Sequence, residues 1–153
     1  MIIFIYGSDG YRVKENADSV IDAYRKKHKN GMGYYRFDFT SPTCKGVEEV
    51  SNTVKSVSFF DEVKLIVIKN IFGNRIHSQN IPPLIKDLDL AAVKDTVLLF
   101  TENKVKKDLQ KENKDLFSIL SNKNNLVKEI EPLSGVRLSN WVRSKFKESG
   151  HDI

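Results

Sequence analysis

The chain has 153 residues, 40% of them hydrophobic and 29% charged. That is the size of one domain with a core large enough to stand without a metal or disulfide staple, and it excludes a disordered chain. The net charge of +5 is unevenly spread, with seven lysines against four acids in residues 101–128 and a second basic cluster in YRKKHKN. Such a surplus is compatible with work near nucleic acid, although solvated helix faces and cationic helix C-termini are its commoner cause.

No apolar run approaches the ~20 residues that cross a bilayer. The opening MIIFIYGSDG lacks the basic flank of a signal peptide, so a cytoplasmic protein without membrane association is expected. The single Cys44 can form no intramolecular disulfide, and no neighbouring histidine marks it as a nucleophile.

In chain order, Met1–Tyr6 is a continuous apolar run closed by Gly7, the pattern of a strand buried on both faces. Ser8 and Asp9 can cap the helix that follows, in which Ala17, Val20, Ile21 and Tyr24 recur at helical spacing and Arg25–Lys29 suit the C-terminal end before Asn30-Gly31. Tyr34–Phe39 alternates as a second strand, and Arg36 and Asp38 on one face put it near a sheet edge. Ser41-Pro42 predicts a helix start, with Val47, Val50, Val54 and Val57 as its apolar stripe.

Val63–Ile68 is the third strand, followed by a loop and a short helix around Leu84–Leu88. Thr96–Phe100 is the fourth. A long polar helix then carries Leu109, Leu116, Phe117 and Leu120, and Leu126–Ile130 forms a fifth strand stopped by Pro132. Ser134 is placed to cap a last helix lined by Leu138, Trp141, Val142 and Phe146. Strands alternating with helices predict an α/β fold, a parallel sheet covered on both faces through right-handed crossovers.

In such a sheet, ligands bind beyond the carboxyl ends of the strands. The loop YGSDGYRVK is the natural place for a phosphate, but counting G-x-x-x-x-G-K-[ST] from Gly7 puts Arg12, Val13 and Lys14 where glycine, lysine and hydroxyl belong. The third strand ends in Lys69 and Asn70, where an ATPase would place acids for magnesium. His28, His77 and His151 lie apart with no metal-ligand spacing, and no nucleophile elbow occurs. No cofactor, metal or catalytic residue is expected.

The stretch SVSFFDEVKLIVIKN sets Phe59 beside Phe60. Continued past Val57, the valine stripe reaches Phe60 and leaves Phe59 about 100° away, so the two rings cannot easily share one core. Either Phe60 closes the core and Phe59 is an incidental surface ring, or the pair is a hydrophobic anchor for a partner. Two such rings offer about 7–12 kcal/mol gross on burial, much of it lost to association.

The succession IIFIYGSDGYRVKE, FDF, SVSFFDEVKLIVIKN, DTVLLFTEN and EIEPLSGVRLSNWVRSKFKESG resembles the N-terminal domain of the delta subunit of bacterial DNA polymerase III, the clamp-loader subunit that opens the sliding clamp. The resemblance covers essentially the whole chain.

It implies a single three-layer, clamp-loader ATPase-like domain over residues 1–153 of the P-loop NTPase type, sheet order 5-1-4-3-2, without a functional nucleotide site. Further helical lid and collar domains would follow in the full-length family. It implies that Ser58, Phe59 and Phe60, with Val57, bind the beta clamp, although Lys55 stands where glutamine often does and Phe59 where leucine is usual. The implied partners are the beta sliding clamp, the delta prime and gamma/tau subunits, and DNA through the assembled loader; such a chain works within a DNA-directed DNA polymerase holoenzyme without a catalytic site of its own. Two other readings stay open on the residues: a nucleotide-dependent enzyme with an unusual loop at Gly7–Arg12, and a nucleic-acid-binding domain using Lys104, Lys106, Lys107 and Lys111.

Overall fold

A computed structural model describes residues 1–57 and 62–151. Five parallel strands, β1 (Ile2–Gly7), β2 (Tyr34–Asp38), β3 (Lys64–Lys69), β4 (Thr96–Glu102) and β5 (Leu126–Ile130), form one sheet in the order β2-β3-β4-β1-β5. The expected α/β class and the expected strand order both hold. The helices are α1 (Gly10–Lys27), α2 (Val47–Lys55), α3 (Arg75–Ser78), α4 (Ile81–Asp87), α5 (Lys106–Glu112), α6 (Lys114–Leu120) and α7 (Gly135–Glu148).

Strand order decides which helix covers which face. The chain crosses from β1 to the far edge at β2 in one direction and returns through β3, β4 and β5 in the other, so right-handed crossovers put α1 on one face and α2 to α6 on the opposite one. Val13, Ala17 and Tyr24 of α1 accordingly pack on Ile5, Leu65, Val67, Leu99 and Ile130. On the opposite face Phe4, Ile66, Ile68, Leu98 and Phe100 meet Val50, Ile81, Ile85, Leu109, Leu116 and Phe117. α7 returns beside α1, where Trp141 stacks edge-on against Tyr11 at 5.5 Å and Lys145 pairs with Glu15.

Burial follows from this layering. β3 is covered on both faces and keeps Lys64–Ile68 buried, whereas β5, at an edge, leaves Leu126–Glu129 exposed. β2 forms the other edge, as its polar face predicted.

Three expectations need correction. α2 starts at Val47 and not at Ser41-Pro42, because Ser41 is held in a turn by its bond to the Asp38 carbonyl and Gly46 supplies the positive φ (95°) at the helix entrance. α2 also ends at Lys55, so Val57 lies beyond the helix and does not continue the stripe of Val47, Val50 and Val54. The long polar helix is two: Asn113 (φ −155°, ψ 94°) closes α5 and caps α6, its side chain accepting the Leu116 N–H at 2.9 Å. A further short helix, α3, lies within the loop after β3, capped by Asn74. Ser134 holds the N-cap position of α7, but its side chain makes no capping bond.

Phe4 is fully buried, stacks on Tyr6 and Phe72 with centroids 4.8 and 6.0 Å away, and meets Phe117 edge-on at 5.9 Å. Phe4→Ala is expected to cost about 3–5 kcal/mol in urea denaturation. A loss below about 1 kcal/mol would mean that the helices of this face close over the vacated space.

Candidate functional site

The sequence named two places, the loop after β1 and the tip after α2. At the loop, the residues that would have to cradle a phosphate are otherwise engaged. Asp9 caps α1, its carboxylate accepting the Arg12 N–H at 3.1 Å, so a negative charge of the chain itself already sits on the positive end of the helix dipole. Arg12 turns away to donate to the Glu131 carbonyl at 2.7 Å. Lys14 pairs with Asp18 at 2.5 Å, on the helix flank.

Gly7 is required here for close approach. A Cβ on Gly7 would collide with the Ile130 carbonyl of the neighbouring strand, and one on Gly10 with the carboxamide of Asn103. The loop glycines therefore serve packing against β5 and the end of β4. Val13, at the position of the missing lysine, is buried in the core.

At the end of β4, Glu102 is 1% exposed and accepts the Phe72 N–H at 3.0 Å, fastening the turn after β3. Burial pushes its carboxyl up to about 7, against the pull of the Phe72 amide and Lys104.

At the tip, α2 ends against an unexpected partner. Lys64, the first residue of β3, is 4% exposed, and its ammonium donates to the carbonyls of Thr53, Val54 and Ser56 at 3.0, 2.7 and 2.6 Å. Those are carbonyls at a helix C-terminus, where the dipole favours a cation, and the Thr53 carbonyl also accepts the Ser56 hydroxyl at 2.7 Å. Burial lowers the Lys64 pKa, with Asp95 acting in the other direction.

The far flank is fastened as well: the Tyr24 hydroxyl donates to the Val63 carbonyl at 2.8 Å and the Asn30 amide to Glu62 at 2.5 Å. Between these anchors Val57 stands 87% exposed. Ser58, Phe59 and Phe60 lie outside the described residues, so of the four predicted tip residues only Val57 is placed.

Sequence reasoning passed over Lys64 as one charge in an apolar strand. The available signal was its position, a lysine opening a strand otherwise suited to complete burial and lying close in sequence to a helix C-terminus. The lysines at positions 104, 106, 107 and 111 are brought to one region around α5, and Lys104 is paired with Glu112 at 2.5 Å.

Residues 3–130 match the family described as DNA polymerase III, delta subunit. The chain belongs to that family. Among solved structures, this delta-family chain is similar to the Bacillus subtilis DNA clamp loader delta protein (YqeN), with 14% identity and a TM-score of 0.60 over 97% of this chain and 43% of that one. It is likewise similar to domain III of the Thermotoga maritima replication initiation protein DnaA, with 15% identity and a TM-score of 0.61 over 99% of this chain and 63% of that one. At these identities the likeness establishes the fold. The chain thus spans less than two thirds of either protein chain. No curated protein matches the sequence.

Two outcomes follow. Lys64→Met keeps the apolar stem but strands the Val54 and Ser56 carbonyls, Thr53 keeping the Ser56 hydroxyl, and is expected to cost about 2–3 kcal/mol in urea denaturation; a loss near zero would show that water replaces the ammonium freely. For Glu102, a folded pKa of about 7 above the ordinary 4.5 means that the folded state binds the extra proton. Its contribution is fully present below about pH 4.5 and is lost as pH rises through about 7, by up to about 3 kcal/mol. Glu102→Gln should flatten that part of the stability-against-pH curve, and an unchanged slope would assign it to other groups.

Proposed function

We propose that this chain is the ATPase-like domain of a clamp-loader delta subunit that binds the beta sliding clamp through Val57, Ser58, Phe59 and Phe60 and favours the opened ring. The observation that carries the reading is the family match over residues 3–130, joined to a segment at 57–60 whose two flanks are anchored while Val57 points into solvent. A short aromatic segment held at both ends loses less freedom on docking than a free one, which favours affinity.

Opening a ring requires more than affinity. The tip must bind the open form better than the closed one, since equal binding shifts no equilibrium. Phe59 and Phe60 would enter an apolar pocket near the clamp's subunit interface, and ATP binding by motor subunits of the delta prime and gamma/tau kind would govern when the tip is exposed. DNA would be met through the assembled loader, in the cytoplasm, with lid and collar domains completing the subunit.

This domain would supply no catalytic site and no nucleotide site. Support comes from Asp9, Arg12 and Asn103, which engage or crowd the loop where a nucleotide's phosphates would sit, and from Lys69 and Asn70 where magnesium-binding acids would be needed. The same features weigh against a nucleotide-dependent enzyme.

The test is titration of the organism's own clamp with this domain and with Phe59→Ala/Phe60→Ala. The expected loss of affinity is at least about tenfold, because hot-spot aromatics cost about 2 kcal/mol or more on truncation. Equal affinity for both proteins would overturn the proposal.

A further inference from the structure

A groove of about 350 Å³ lies between the flank of α1 and the carboxyl ends of β2, β3 and β4, with Arg36, Val67, Lys69 and Thr101 among its lining residues. The sheet register explains the gathering. Lys69 is directly beside Thr101, and Arg36 is directly beside Val67, two residues before Lys69 on β3. With side chains alternating along each strand, all four share the face that α1 covers.

Two features of the groove are unused by the fold. Thr101 is 5% exposed, and its Oγ1 has no hydrogen-bond partner among the described residues. Buried hydroxyls are normally bonded, so an orphan facing a cavity points to an occupant. Arg36 and Lys69 form no ion pair among the described residues, while the lining acid Asp18 is already taken by Lys14. Glu102, the other lining acid, gives its Oε1 to the Phe72 N–H, and Asp38, beside Lys69 in the register, is held by Thr40 and Asn70. Arg36, Lys69 and a donor hydroxyl therefore converge on one space.

We propose that this groove binds a phosphoryl oxyanion carried by a small molecule. The Arg36 guanidinium suits bidentate contact with such a group, Lys69 adds a point charge, and the Thr101 hydroxyl donates from the floor. Val13, Ala17 and Ile21 of α1 offer an apolar wall for the remainder of the ligand. The volume admits a phosphoryl group with a small remainder. The site is separate from the α1 N-terminus, which Asp9 caps, and does not depend on the tip.

The experiment is an amide-resolved NMR titration of the chain with inorganic phosphate and with pyrophosphate at constant ionic strength. Saturable shifts are expected at residues 67–70 and 101–103. Arg36→Ala/Lys69→Ala should weaken phosphate or pyrophosphate binding at least about tenfold, whereas Lys123→Ala/Lys147→Ala, on exposed lysines elsewhere, should not. Thr101→Val should weaken binding and at the same time raise the thermal midpoint, because it removes the unpaired hydroxyl. The proposal is overturned by shifts that do not saturate or that spread over all lysines, by equal affinity in the Arg36/Lys69 variant, or by shifts centred on residues 7–12. A Thr101→Val protein with a lowered midpoint and unchanged affinity would likewise overturn it.

Discussion

The grip of Lys64 on the end of α2 is the interaction that fixes where that helix stops relative to β3. A buried ammonium is costly unless its donors are satisfied, and three carbonyls of one helix terminus satisfy all of them. Because Lys64 is also the first residue of the buried interior strand β3, the helix end is tied to the sheet. Val57, just past that helix end, is 87% exposed.

The same frame explains what became of the phosphate loop. Its glycines remain, but they allow Ile130 and Asn103 to approach the backbone, and the helix N-terminus is capped by Asp9. The Arg12 amide, at the end of the helix where a phosphate would draw on it, is already taken by Asp9. Similarity in fold to domain III of a replication initiation protein is consistent with one architecture whose loops carry different residues.

Much of this was legible in the sequence. The apolar runs of β1, β3 and β4 and the stripe Ala17, Val20, Ile21 and Tyr24 are strong periodic signals, and their alternation leaves few topologies. Strand order itself came from the family resemblance. The misread elements share a cause: local hydrogen bonds override the pattern. Asn113 breaks a helical run by capping α6, and Ser41 folds back on Asp38 where a helix start was expected. Lys64 and Thr101 were silent because their meaning depends on partners, or the lack of them, brought by tertiary contact.

The central proposal is that the segment after α2, which begins at the exposed Val57, is where the chain meets another protein. Hydrogen–deuterium exchange of the delta-family chain with and without the beta sliding clamp proposed as its partner tests it most directly. The account predicts slowed exchange confined to residues 57–64 and the adjoining end of α2. Protection appearing around α5 instead, with residues 57–64 unchanged, would contradict it.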